Sequence, residues 1–252
     1  MKNRREKVLN LILPTLSVLS IILFWAIASA VIDSEYILPS VKETVEKFFA
    51  LFFSGEFYRA FFSTLFRSLI AFIISFLFAI ILAILSVKVK RAKSIIFPFI
   101  SIMRALPTIA IVLLLLFWTN SKVAPTIVTL LVVLPTSYTH IESALFSLDK
   151  MVTDAGRVDG ADEKAVFYHV ELPQILPAVY SGIGSGISLN FKLMVAAEVL
   201  SQTAYSIGYL LNTSKIYFEI SQMLAIVLVA VIFGVIIETL FNFLSKKAGE
   251  WK

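Results

Sequence analysis

The stretch DAGRVDGADEKAVFYHVELP, Asp154–Pro173, decides the reading of this chain. It is an island of charge between two apolar stretches, 124–146 and 174–200. Just ahead of it and within it, Leu148, Met151, Val152, Ala155 and Val158 recur at helical spacing. They form one apolar stripe beside Asp149, Lys150, Asp154 and Arg157. Gly160 suits the left-handed position that ends a helix. Asp162 can cap a second turn of helix running through Phe167 and Tyr168. Pro173 suits the first turn of the next helix, where its missing N–H costs nothing. The pattern predicts a helix, a glycine turn and a second helix, an elbow joined rigidly to the apolar stretch that follows.

Outside this island the chain is lipid-soluble. Of 252 residues, 59% are hydrophobic and 15% charged, and the mean hydropathy is +0.91, which excludes an ordinary soluble domain. Apolar stretches near 11–32, 60–87, 95–118, 124–146, 174–200 and 221–245 are each long enough to cross about 30 Å of hydrocarbon as a helix. Lipid leaves the backbone no outside partner, so an all-α membrane protein with about six transmembrane helices is expected. MKNRREK followed by Leu11–Ile32 is read as a retained first span. Its apolar run of about 22 residues exceeds the roughly 7–15 of a cleaved leader. Cysteine is absent, so disulfides and thiolate metal sites are excluded. The net charge of +5 fits basic loops at a membrane surface and does not argue for nucleic acid.

Those basic loops set an expected orientation. Lys2, Arg4, Arg5 and Lys7 open the chain; Lys88, Lys90, Arg91 and Lys93 join the second and third spans; Lys246, Lys247 and Lys252 close it. The alternate loops carry only Lys122 and Lys215, while 33–59 balances its basic residues with acidic ones. Both termini and the island at 147–173 are therefore expected in the cytoplasm. Within 33–59, Ser40 and Glu43 make a capping box. Val41, Val45, Phe48, Phe49 and Phe52 then share one face, as in a helix lying on the outer membrane surface or packing on the bundle. The chain reads as a single domain, 1–252, with its core at about 60–245.

Charged and amide side chains inside the spans must face protein or water. Arg104 lies between Pro98 and Pro107, which would bend the third span. It is expected to pair with Glu142 or snorkel toward the cytoplasm, with solute contact as the alternative. In the fifth span Asn190 and Lys192 sit deep and Glu198 lies near the outer end. All three are candidates for a translocation pathway. The alternative for Lys192 is neutralisation by a carboxylate on a neighbouring helix, for which Glu238 is placed too near the cytoplasm. The run Ser181–Gly186 repeats small residues and predicts close helix packing, within the chain or between copies. No G-x-x-x-x-G-K-[ST], G-x-S-x-G or H-E-x-x-H is present. His140 and His169 lack companions at metal-ligand spacing, so no metal site and no catalytic residues are expected.

The spacing Asp-Ala-Gly, three residues, Gly160, nine residues, Val170-x-Leu172-Pro173 resembles the E-A-A, x3, G, x9, I-x-L-P loop of permease subunits of bacterial binding-protein-dependent ABC importers. YILPS before the surface helix, RALPT at 104–108, VAAEVL at 195–200 and IGYLL at 207–211 look like the permeases of sulfonate, taurine, nitrate and thiamine-precursor importers. Asp154 for Glu, Gly156 for Ala and Val170 for Ile depart from the loop pattern. The resemblance implies a type I importer permease in the bacterial inner membrane, with 147–173 as a coupling loop. Asp154, Ala155, Gly156, Arg157, Gly160, Ala161, Leu172 and Pro173 would dock a separate ATPase that carries ATP and Mg. This chain would bind no cofactor of its own. The other implied partners are an extracytoplasmic solute-binding protein and a second permease. Its solute would be a small organic anion such as a sulfonate, or a vitamin-precursor heterocycle. The alternative is an ion-coupled secondary transporter without an ATPase, which needs coupling acids buried at mid-depth.

Overall fold

A computed structural model describes residues 2–158 and 160–249, with the side chains of 2–11 and of residue 90 excepted. The charges of Lys2, Arg4, Arg5, Lys7, Lys90 and Lys252 used above lie outside the described residues and side chains. The described residues form helices and short turns, without a strand among them. In order they are α1 (Lys2–Ile32), α2 (Val41–Leu51), α3 (Gly55–Lys88), α4 (Lys90–Ala105), α5 (Thr108–Trp118), α6 (Ala124–Phe146), α7 (Lys150–Val158) and α8 (Glu163–Val166). A π-helical turn (Phe167–Glu171) then leads into α9 (Leu172–Ser201), α10 (Ile207–Ile216) and α11 (Ile220–Gly249). Among the described residues, five helical segments are long and apolar enough to cross a membrane, or six if the bent pair α4–α5 is one span.

The pair α4–α5 sharpens the sequence reading, which took 95–118 as one span bent by Pro98 and Pro107. The two helices meet at 94°. Pro107 has no N–H to continue the ladder and pushes the residue before it out of the helical region. Leu106 accordingly takes ψ 127°, an extended conformation. Pro98 lies inside α4 without ending it.

The chain divides into two compact units, residues 1–58 with 210–229 and residues 59–209 with 230–252. In the first, the indole N–H of Trp25 on α1 donates to the carbonyl of Pro39 at 3.1 Å. The capping box forms as predicted: Glu43 N–H donates to Ser40 Oγ at 3.2 Å, and Ser40 N–H to Glu43 Oε2 at 3.1 Å. On α2, Val45, Phe49 and Phe52 are exposed, so the predicted apolar face is largely open. The membrane-length window of α1 is open as well, with 0% of it buried.

In the second unit α6 and α9 pack along each other, and α3, α4 and α5 close around them. One apolar cluster joins Ala79, Ala83, Ile100, Leu134, Tyr138 and Ile141; another joins Ile111, Val112, Val128 and Ala197. The glycines of α9 set the spacing. A Cβ on Gly184 would fall 2.5 Å from Phe241 Cβ, on Gly186 2.8 Å from a Phe72 ring atom, and on Gly182 3.3 Å from His140 Cβ. Three glycines thus admit α11, α3 and α6, and the small-residue run is a packing face within the chain.

Candidate functional site

The elbow is built as its sequence suggested, with one change. Asp149 starts α7: its Oδ1 accepts from Met151 N–H at 2.9 Å and its carbonyl from Thr153 Oγ at 3.0 Å. Gly160 closes that helix at φ +84°, where any side chain would strain the backbone. Asp162 caps α8, accepting from Ala165 N–H at 2.8 Å. The second helix does not stop near Tyr168. It runs on through the π turn into α9, giving 39 continuous helical residues from Glu163 to Ser201. Leu172 N–H reaches back to the carbonyl of Phe167, five residues earlier. Pro173 follows at once and donates nothing, so the ladder widens here instead of breaking.

Arg157 fixes the angle of the elbow. Its guanidinium bonds Asp154 at 3.1 Å and Glu163 at 2.9 Å, and lies 3.8 Å from Glu171. The guanidinium holds the Glu163 carboxyl below the usual carboxylate range. Gly156 faces the second helix, with Val170 and Val166 methyls 3.6 and 3.7 Å from where a Cβ would lie. Ala155 and Ala161 are exposed, while Leu172 and Pro173 are half-buried. Of the apolar stripe, Met151 is 81% and Val158 86% exposed, so α7 presents an uncovered apolar face beside a fixed arginine.

At the other end of α9, Glu198 is fully buried. Its Oε1 accepts from Arg67 Nη2 at 2.6 Å and Nε at 3.0 Å; its Oε2 accepts from Thr64 Oγ at 2.8 Å and Gly208 N–H at 3.4 Å. Thr64 Oγ in turn accepts from Ile207 N–H at 3.0 Å. The node ties α3, α9 and the start of α10 together. Gly208 lies so close that a Cβ would sit 2.5 Å from Val199 N. Sequence reading singled out Glu198 but missed Arg67 and Thr64. An arginine inside the apolar run 60–87 was the available signal.

Asn190 is also fully buried, and its Nδ2 donates to the carbonyl and hydroxyl of Ser68 at 2.6 and 2.7 Å. Lys192 is about half-exposed and lies 3.8 Å from Glu238 Oε1. Glu238 therefore does match Lys192 in depth, contrary to the placement made from sequence. Gly234 leaves the room, since a Cβ there would come 3.2 Å from Lys192 Cε.

The expected Arg104–Glu142 pair is not formed. Glu142 accepts from the Tyr138 hydroxyl at 2.7 Å and pairs with Lys93 at 3.3 Å. Tyr138 is linked onward to Ser86 at 2.7 Å. Arg104, at the end of α4, donates through Nη2 to Thr139 Oγ at 2.9 Å. Arg104 thus meets the face of α6 that carries Thr136, Thr139, His140 and Ser143, which Glu142 does not share. Among the described residues no group of three or more His, Asp or Glu side chains could hold a metal.

Comparison with known proteins supplies the setting for this geometry. Residues 75–249 match the model of a family described as binding-protein-dependent transport system inner membrane component. The chain is 23% identical over 162 residues to a probable ABC transporter permease of Brucella abortus, and the match spans 64% of each protein. It is 24% identical to the taurine transport system permease protein TauC of Escherichia coli, over 63% of this chain and 58% of TauC. It is 26% identical to the methionine import system permease protein MetP of Bacillus subtilis, over 63% of this chain and 76% of MetP. Among solved structures, an amino acid ABC transporter superposes with a TM-score of 0.64 at 16% identity, covering 81% of this chain and 96% of that one. An inward-facing MetNI methionine ABC transporter gives 0.59 at 17% identity, covering 74% and 93%.

Proposed function

The chain belongs to the family of binding-protein-dependent transport system inner membrane components, and from that premise we propose that it forms the translocation pathway of an ATP-driven importer. It is a multi-pass membrane protein of the inner membrane. Residues 1–252 act as one permease domain, with both termini and the elbow on the cytoplasmic side. A separate ATPase, carrying the ATP and Mg, presses on 147–173. A binding protein outside delivers the solute, and a second copy of the chain completes the pathway. The chain does no chemistry of its own.

The observation that carries this reading is the elbow. An uncovered apolar helix face is locked by Arg157 to a second helix, and that second helix continues without interruption into a membrane-length one. Such a part can convey a push from a docked protein into the membrane. A secondary transporter needs coupling acids open to the pathway. Here Glu198 is sealed by four donors, and Glu238 is engaged by Lys192. The taurine relative favours a small organic anion as solute.

A tagged chain expressed in its native operon context should co-purify with an ATPase. Gly160→Pro should abolish solute uptake, because proline cannot adopt the positive φ at this position. A chain that brings down no ATPase, with a Gly160→Pro variant that transports normally, would defeat the importer reading.

A further inference from the structure

Arg104 is left without a carboxylate partner. Among the described residues no acidic side chain forms an ion pair with it, because Glu142 is held by Lys93 and Tyr138. A cation at this depth must face protein or water, and Arg104 is exposed. Opposite it, Thr136, Thr139, His140 and Ser143 fall at i, i+3, i+4 and i+7 of α6 and so share one face. His140 is six residues from the end of α6 at Phe146, about 9 Å along the axis. Together these five side chains line a cavity of about 200 Å³ with no carboxylate on its wall.

The hydrogen bonds leave donors facing that cavity. The one O–H of Thr139 is spent, since it accepts from Arg104 and donates to the carbonyl of Pro135 at 2.9 Å. Thr136 donates to the carbonyl of Val132 at 3.4 Å. The remaining N–H groups of Arg104, the ring N–H of His140 and the hydroxyl of Ser143 are available to a guest. A planar cation with two further donors suits an acceptor-rich anion, and the volume suits a group of a few heavy atoms.

We propose that this cavity binds the small anionic head of the transported solute — a sulfonate, carboxylate or phosphate — with Arg104 as counter-ion and His140 and Ser143 as hydrogen-bond donors. The assignment rests on the importer reading. It places the solute's charge two residues before the Leu106–Pro107 bend, where a change in the α4–α5 angle would open or close the site.

The test uses the full chain with its co-purified ATPase in nanodiscs of zwitterionic lipid. Thermal unfolding is titrated with methanesulfonate, with neutral dimethyl sulfone and with ethylammonium, at fixed ionic strength. Methanesulfonate alone should raise the midpoint saturably. Arg104→Gln should raise the half-saturating concentration about tenfold or more. Arg104→Lys should recover part of the effect as a point charge, and Lys122→Met should leave it unchanged. No saturable shift in the unmodified protein, or an undiminished one in Arg104→Gln, overturns the proposal. Should Arg104→Gln fail to purify as a monodisperse protein, the double variant His140→Gln/Ser143→Ala decides in the same way. Nanodiscs containing phosphatidylglycerol test the other source of an anionic head. If that lipid alone gives the Arg104-dependent shift and methanesulfonate adds nothing, the site holds a lipid and the solute assignment falls. ATPase co-purification is scored separately. Its loss with anion binding intact sinks the importer reading, and its retention without anion binding sinks only this site.

Discussion

Glu198 and Arg67 are 131 positions apart, and two guanidinium nitrogens of Arg67, itself 19% exposed, meet one oxygen of the fully buried Glu198 carboxylate. Removing one member of such a pair leaves an unpaired charge, whereas replacing both with apolar groups removes the desolvation cost as well. Glu198→Leu should therefore destabilise the protein by about 3 kcal/mol or more, and Arg67→Met/Glu198→Leu should recover at least about 1 kcal/mol of that. Unfolding of the purified protein in mixed detergent micelles measures both. A double variant less stable than the single one would show that the pair contributes net stability. At this scale the sequence was half legible. Glu198, Asn190 and Lys192 stood out because charged and amide groups are costly in lipid. Their partners Arg67, Ser68 and Glu238 are brought in by tertiary packing, which spacing along one helix cannot reveal.

The elbow shows what local chemistry can specify. Asp162, Gly160 and Pro173 each impose a backbone rule, and the caps, the left-handed turn and the helix start follow from them. The π turn was not foreseen, because widening a helix and breaking it answer equally well to a proline that cannot donate. Likewise Pro98 and Pro107 both signalled a bend, but only Pro107 turns the chain. The residue before it has left the helical region, and Pro98 stays within a continuous ladder. Gly156 offers a test of the elbow's stiffness. Its prospective Cβ meets only ordinary contacts at 3.6 and 3.7 Å, and alanine favours a helix by about 1 kcal/mol. Gly156→Ala should slow amide exchange across 150–158 several-fold without weakening ATPase co-purification. Faster exchange would mean that the added methyl pries the two helices apart.

For the molecule as a whole, the spans were legible because lipid demands long apolar helices. Apart from the α4–α5 bend and the longer helical starts at Lys2 and Glu163, the six stretches agree with the observed helices to within a turn or two. Orientation rests on loop charge, and the absence of cysteine makes it easy to check. Single cysteines introduced by Lys122→Cys and Lys150→Cys can be labelled on an otherwise silent background. An impermeant maleimide applied to intact spheroplasts should modify Lys122→Cys and spare Lys150→Cys until the membrane is opened. The reverse pattern would invert the topology and separate the elbow from any cytoplasmic ATPase. The 39 uninterrupted residues from Glu163 to Ser201 amount to about 58 Å of helix axis. That length makes the Glu163–Ser201 helix a lever reaching from the elbow to the Glu198 node. A tilt of only about 5° at one end would move the other by about 5 Å, roughly one helical turn. Stroke is therefore abundant, and the quantity this geometry must conserve is stiffness.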